Sequence, residues 1–487
     1  MANKEIKIHS IKYNFLMNII MRVSQLIFPL VTFPYISRVL LNDNNGKIAF
    51  ATAVVSYLTL VSSLGIPTYG IKICAQKRDD KEQLSKTVQE LFVLNIIFLI
   101  ASIIIFGVLL YFVPSFYENR VVLMIISTGT ILNVIGVEWF YQAIEQYDYI
   151  TKRNIVFKIA SLILMFIFVH KPEDYIVYSC IMVFGSYGSY ICNFLKLKSY
   201  VLLKFNLPLE LKQHLKPIFF LFLYSAATQI YTNLDTVMLG FITNDYEVSL
   251  YNVAVKVKLI LVSLITALGT VLLPRASYYL KTNREKYNDI LNKAFCISIL
   301  CSLPCMTFFI IEASDVIMIL AGSNYLEAVI PMQLILISLL PISLSSITAW
   351  QVLIPMEKNM ITVGGAVIGG LIDFSINLVL IDKIGSSGAA IGTIVAEFLV
   401  LIIHIFGIWP IFKENFDGKD VFKIFVTTIV SGILCVLVRY LYHINNPFIG
   451  VSAIGVLFFA TFLIILLVTK EKTAIWMFEL IRGKIQK

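Results

Sequence analysis

Charge is scarce in this chain. Only 14% of its 487 residues are Asp, Glu, Lys or Arg, where an ordinary globular protein carries about a quarter. Beside 58% hydrophobic residues, that scarcity excludes a soluble protein. Long polar stretches are missing too, so no connection could fold as a separate catalytic domain. There is no GxxxxGK(S/T), no GxGxxG between a strand and a helix, no HExxH and no GxSxG. The phosphate cradle, zinc pair or nucleophile elbow of a pump or hydrolase is therefore not written here. The seven cysteines include no CxxC and sit mostly in apolar runs. They read as packing residues, with neither a disulfide frame nor a metal site implied. The five histidines are scattered and mostly interfacial.

What the chain does have is apolar runs of about twenty residues from end to end, each able to span a ~30 Å hydrocarbon core. They predict helices, since a barrel would show short alternating segments. Fourteen spans are expected, at 13–40, 47–71, 86–112, 121–143, 155–169, 175–197, 214–242, 248–275, 288–311, 328–355, 359–381, 388–410, 421–442 and 447–468. With the N-terminus inside, thirty of the 39 Lys and Arg residues fall on the inner side and six on the outer. A wrong helix count would scramble that asymmetry, so both termini are expected in the cytoplasm. The run 13–40 is too long for a signal peptide and lacks a small-residue cleavage site; it reads as a retained first helix. The net charge of +9 follows from the loop bias. With no soluble domain to display a basic face, nucleic acid is not an expected partner.

The connection 198–213 divides the spans into an N-terminal lobe, 1–197, and a C-terminal lobe, 214–412, with 413–487 holding two more spans and a cytoplasmic tail. Spans one and two resemble spans seven and eight, each pair joined by a turn containing Asn-Asp (Asn42-Asp43 and Asn244-Asp245). Because six is even, the lobes would share one orientation and face each other across a central cavity.

The polar residues inside the spans are the functional candidates, because intramembrane charge costs several kcal/mol and usually faces a bundle interior or a watery cavity. Phe219–Leu280 predicts two helices hinged near 243–248, with Asp235 on the first and Lys256 and Lys258 on the second. Ser225, Thr228, Gln229, Thr232, Asp235 and Thr236 share one face of the first; Asn252, Lys256, Ser263, Thr266 and Thr270 share one face of the second. Asp235 and Lys256 lie nearly level, so they are either substrate-facing groups or a charge pair joining two helices. On the first helix Asn14, Asn18, Arg22 and Gln25 line one face, and Pro29 and Pro34 predict a bend in its outer half. Arg38 near the outer end and Glu138 in the inner half of span four are gating candidates. Trp139, Tyr141, Tyr147 and Tyr149 should form an interfacial belt there. Asp373, Asn377 and Glu397 occupy spans eleven and twelve. The two carboxylates are equally far from a turn at 384–385, and if close they would not both ionise easily.

Six stretches carry a family resemblance: FPLVTFPYISRVL (28–40), LGIPTYGIKICAQKRDDKEQL (64–84), EWFYQAIEQYDYITKRN (138–154), NLDTVMLG (233–240), LLPRAS (272–277) and GAAIGTIVAEF (388–398). Together they resemble the polysaccharide or O-antigen flippases, of Wzx type, in the multidrug/oligosaccharidyl-lipid/polysaccharide exporter superfamily. The resemblance implies an all-α membrane protein, two six-helix lobes in a V plus two C-terminal helices, and alternating access. It implies transport of undecaprenyl-pyrophosphate-linked oligosaccharide from the inner to the outer leaflet, with no enzymatic step and no cofactor, Na⁺ or H⁺ being the coupling ion. Membrane lipids, a polysaccharide polymerase and other assembly proteins are its implied partners. Ile71-Lys72-Ile73 departs from the Arg-Glu-Ile common in the family, and Asp373 stands where an amide is frequent. A cavity for pyrophosphate should be cationic, which Arg22 and Lys256 would supply. The rivals are a multidrug or cation exporter, a peptidoglycan-precursor flippase of the same fold, and a membrane glycosyltransferase or polymerase. An exporter of cations should have an acid-dominated cavity, and a transferase a long external loop with Asp, Arg or His.

Overall fold

The computed structural model describes residues 10–202, 209–415, 418–442 and 444–475. Residues 203–208 of the connection and 476–487 of the expected tail lie outside them, as do the side chains of Thr228, Thr270 and the 272–277 stretch. Every described element is a helix, as the apolar runs require. Each of the fourteen expected ranges falls on helical residues, apart from one- to three-residue breaks and ends. Among the described residues nine helices are long and apolar enough to cross a membrane. Two of these, Lys12–Gln76 and Asn359–Gly407, have 65 and 49 residues. At ~1.5 Å per residue both far exceed one crossing, and both contain a break.

The chain forms two compact units, Met1–Ser249 and Leu250–Lys487. The first contains α1 (Ile11–Ser63), α2 (Ile66–Gln76), α3 (Lys81–Phe112), α4 (Pro114–Glu118), α5 (Arg120–Gly136), α6 (Glu138–Ala143), α7 (Tyr147–Phe168), α8 (Tyr175–Val183), α9 (Tyr190–Leu197) and α10 (Lys212–Ile242). The helix 214–242, expected to open the second lobe, thus packs within the first unit, against α1 and α2. α1 is the axis of this unit and also touches α3, α5 and α7. Its break is at Leu41, with φ 61° and ψ −174°, a region that side chains other than glycine's rarely enter. Pro29 and Pro34 remain inside the helix, and Leu41 alone in α1 leaves helical dihedrals. Just past the break, a Cβ on Gly46 would lie 1.7 Å from the carbonyl oxygen of Asp245. The two Asn-Asp turns noted in the sequence therefore touch, and only glycine fits at their contact.

The second unit contains most of α11 (Asp245–Thr282), then α12 (Arg284–Ile311), α13 (Ala313–Leu320), α14 (Val329–Leu336), α15 (Leu339–Ile347), α16 (Asn359–Gly407), α17 (Trp409–Asn415), α18 (Gly418–Leu441) and α19 (Pro447–Val468). α16 breaks at Ile384 and Gly385, the latter at φ 53°, where the turn was expected. Side-chain caps start several helices: Asp80 accepts from the backbone N–H groups of Glu82 and Gln83, and Asn446 from those of Phe448 and Ile449. The last two spans, α18 and α19, pack on each other, α18 also on α12 and α19 also on α13. Arg439 of α18 anchors this corner through ion pairs to Asp315 and Glu312.

Candidate functional site

Inside the first unit lies a cavity of about 400 Å³, within the range of ~300–1,000 Å³ usual for ligand sites. The second arm of α1 supplies Thr52, Ser56, Thr59 and Ser63 to its wall. They recur at four- and three-residue steps, so one helix face carries a ladder of hydroxyls. In a helix such hydroxyls donate back to the preceding turn: Thr52 to the Ile48 carbonyl at 2.6 Å, Ser56 to Ala53 at 2.6 Å, and Thr59 to Val55 at 2.9 Å. With those hydrogens engaged, Thr52 and Ser56 present oxygen lone pairs, while the Thr59 oxygen is shared with the Thr130 hydroxyl at 2.6 Å. Asn133 of α5 faces the ladder, its amide 3.3 Å from the Ser63 hydroxyl. α10 contributes Ser225 and Gln229, two members of the polar stripe predicted on that helix. Ser186 and Tyr187 complete the wall from Phe184–Gly188, a π-helical stretch between α8 and α9. Such widened turns are frequent at functional sites.

Among the described residues no Asp, Glu, Lys, Arg or His lines this cavity. Its described wall mixes hydroxyls and amides with apolar side chains and is uncharged. Arg22 and Gln25 are exposed on the first arm of α1, and Asn18 is half-buried. Asn14, one turn before Asn18, is buried and donates to Glu145 at 3.0 Å. Asp235 is buried in α10, with the Tyr57 hydroxyl of α1 within its electrostatic reach. Arg38 is exposed and donates to the Pro34 carbonyl one turn back.

The 138–154 motif is a folded knot. Val137 and Glu145, at φ 38° and 56°, bracket the six-residue helix α6 in left-handed conformations. Each costs on the order of 1–3 kcal/mol and needs the surroundings to hold it. Glu138 is held by Arg153 at 2.7 Å, and Glu145 by Arg78 at 2.7 Å besides Asn14. Arg153 is 6% exposed and lies over the Tyr149 and Tyr190 rings. Trp139 and Tyr141 are buried instead of forming an interfacial belt; Tyr141 donates to the Asn193 carbonyl at 2.6 Å. Burial wins because these residues fall between helices of the unit, where the aromatic ring packs and its polar tip finds a backbone acceptor.

In the second unit, Gly365, Gly369, Asp373, Asn377 and Ile381 form the buried stripe of the first arm of α16. Asp373, Asn377 and Glu397 are 1%, 0% and 8% exposed. A Cβ on Gly392, in the second arm, would lie 2.4 Å from Asn377 Oδ1 and 2.6 Å from Asp373 Oδ1. The absent side chain lets the arms close on these two polar groups. Thr393 follows, 3.1 Å from the Tyr251 hydroxyl of α11, with Glu397 one turn on. On α11, Asn252, Lys256 and Lys258 are all half-buried.

The profile of a family described as "Polysaccharide biosynthesis protein" matches residues 11–280, more than half of the chain. The chain belongs to that family. A protein of Escherichia coli (strain K12) named for O-antigen transport is 25% identical over 399 residues, 80% of this chain and 95% of the relative. One of Shigella dysenteriae with the same name is 23% identical over 395 residues, 80% and 98% of the two chains. Among solved structures, the lipid II flippase MurJ in an inward closed conformation superposes with a TM-score of 0.75 at 18% identity. It covers 96% of this chain and 100% of that one, so the all-α membrane-protein fold is shared.

In this polysaccharide biosynthesis protein the sequence reading passed over one buried cluster. His214, at the start of α10, is 2% exposed and lies 2.9 Å from Glu90 of α3 and 2.9 Å from the Tyr69 hydroxyl of α2. Glu90 also accepts from the Glu210 N–H at 2.8 Å, while the Glu210 carboxylate pairs with Lys86 at 2.8 Å. The Lys86 hydrogen bond holds the Glu210 carboxyl below the usual carboxylate range. The connection into α10 is thus clamped to α3. The signal was Glu90 itself, a carboxylate inside an apolar run.

Proposed function

We propose that the chain is a transporter, not an enzyme: a flippase that carries undecaprenyl-pyrophosphate-linked oligosaccharide repeat units from the cytoplasmic to the outer leaflet by alternating access. What supports this most is that the family match over 11–280 takes in every residue lining the neutral, hydroxyl-rich cavity. A polar chamber within apolar helices suits a hydrophilic cargo crossing a membrane. The relatives named for O-antigen transport support the cargo class, capsule or O-antigen assembly. Arg22 would clamp the diphosphate with paired donors and Lys256 hold it as a point charge; Asp373 or Glu397 would bind the coupling Na⁺ or H⁺. The protein would lie in the cytoplasmic membrane with both termini inside and act beside a polysaccharide polymerase. In cells deleted for the protein, newly made lipid-linked units should remain accessible only from the cytoplasmic face. Units that still reach the outer face in such cells refute the reading. The fold shared with a lipid II flippase favours a peptidoglycan-precursor cargo as the second reading; lysis on depletion, in place of polymer loss, would select it.

A further inference from the structure

The described wall of the first unit's cavity sets hydroxyls and amides among apolar side chains and holds no charge, and that combination selects a ligand. A diphosphate placed there would carry its charge into a low-dielectric chamber without a facing cation, an unfavourable state. A lipid tail would strip water from the hydroxyls of Thr52, Ser56 and Thr59 and return no hydrogen bond. A sugar has neither defect. Its hydroxyls donate to the lone pairs that the α1 ladder presents, and both donate to and accept from the amides of Asn133 and Gln229. Its apolar C–H face has the Tyr187 ring, whose edge already packs at Gly129, where a Cβ would lie 2.7 Å from the ring. The π-helical stretch holds Ser186 exposed on the wall and Tyr187 half-buried behind it.

We propose that this cavity is a glycan subsite of the first unit, which takes uncharged sugar residues of the cargo apart from its pyrophosphate. This rests on the flippase reading above and adds where the sugars bind. It divides recognition: the neutral chamber senses the glycan, and charged groups elsewhere sense the phosphates.

The test uses full-length protein in nanodiscs and two probes, lipid-linked oligosaccharide extracted from the producing cells and bare undecaprenyl pyrophosphate. Wild-type protein should bind the glycosylated lipid about tenfold more tightly or better, as one or two net hydrogen bonds imply. Thr59→Val/Asn133→Leu removes polar atoms at nearly constant shape, and Ser186→Trp fills the chamber from an exposed position on another helix. Both should bring the preference close to one while leaving bare-lipid binding unchanged. Variants that keep the wild-type preference overturn the subsite, as do variants that lose both lipids equally. Wild-type protein that binds neither lipid above phosphatidylglycerol overturns the flippase reading and the subsite with it. Wild-type protein that binds both lipids equally overturns the subsite alone.

Discussion

Glu138 and Arg153 lie fifteen residues apart in one sequence motif and meet at 2.7 Å, the arginine almost fully buried. The carboxylate proposed as a gate is thereby the partner of a buried cation. Removing one member of such a pair costs about 3–5 kcal/mol, because the other charge is left buried and uncompensated. Arg153→Ala should therefore lower the thermal midpoint in detergent and the amount of protein in the membrane. Glu138→Gln/Arg153→Met should recover most of both. A single variant that keeps wild-type stability but loses export would return Glu138 to the gate.

The Lys86–Glu210 pair gives the clamp a pH dependence with a definite sign. The Glu210 pKa is lowered in the folded protein by its hydrogen bond to Lys86. Its stabilisation is thus complete above the unfolded value of about 4.3 and is lost as pH falls through the lower folded value. Limited proteolysis of the connection 198–213 should be flat from about pH 5 to 8 and rise only in stronger acid. Glu210→Gln should be cut at neutral pH as the wild type is in acid; if its cleavage stays at the wild-type level, the pair does not hold the connection.

Arg22 is exposed on α1. Its loss should cost little stability, which separates a transport role from a structural one. Arg22→Ala should abolish export at normal expression, whereas Arg22→Lys should keep part of it, a point charge replacing a bidentate donor. Normal export by Arg22→Ala sinks the proposed diphosphate role.

The helices were legible because membrane spans are written as composition: a run of about twenty apolar residues has few alternatives. The breaks near Leu41 and Ile384–Gly385 fell where the sequence placed turns. Partners across the bundle were not legible. Nothing in the period of α3 says that Glu90 meets His214, since the two lie 124 positions apart and their contact depends on how the chain between them folds. The hydroxyls at 52, 56, 59 and 63 were hidden for another reason. Ser and Thr satisfy themselves on their own helix, so they disturb an apolar pattern far less than a charge does. Arg22, Asp235 and Lys256 interrupt that pattern plainly, while the chamber is lined by quieter residues.

Gly392 offers the sharpest test of the α16 cluster, because the expected effect is steric and local. A methyl group there would meet Asn377 Oδ1 and Asp373 Oδ1 well inside van der Waals contact, so those two side chains must turn away. Both are buried on short stems, so turning them away breaks the polar contacts they make and costs some stability. If Asp373 and Asn377 serve the coupling ion, Gly392→Ala should reduce export as severely as Asp373→Asn does. The thermal midpoint should fall somewhat, so export is compared at matched protein abundance. Gly107→Ala is the control: it faces open space within 4 Å, and alanine in mid-helix should if anything add ~0.5–1 kcal/mol. Glu397→Gln places the second carboxylate in the same series. Wild-type polymer levels in Gly392→Ala, Asp373→Asn and Glu397→Gln together would remove the cluster from the transport cycle and leave it a packing feature of α16.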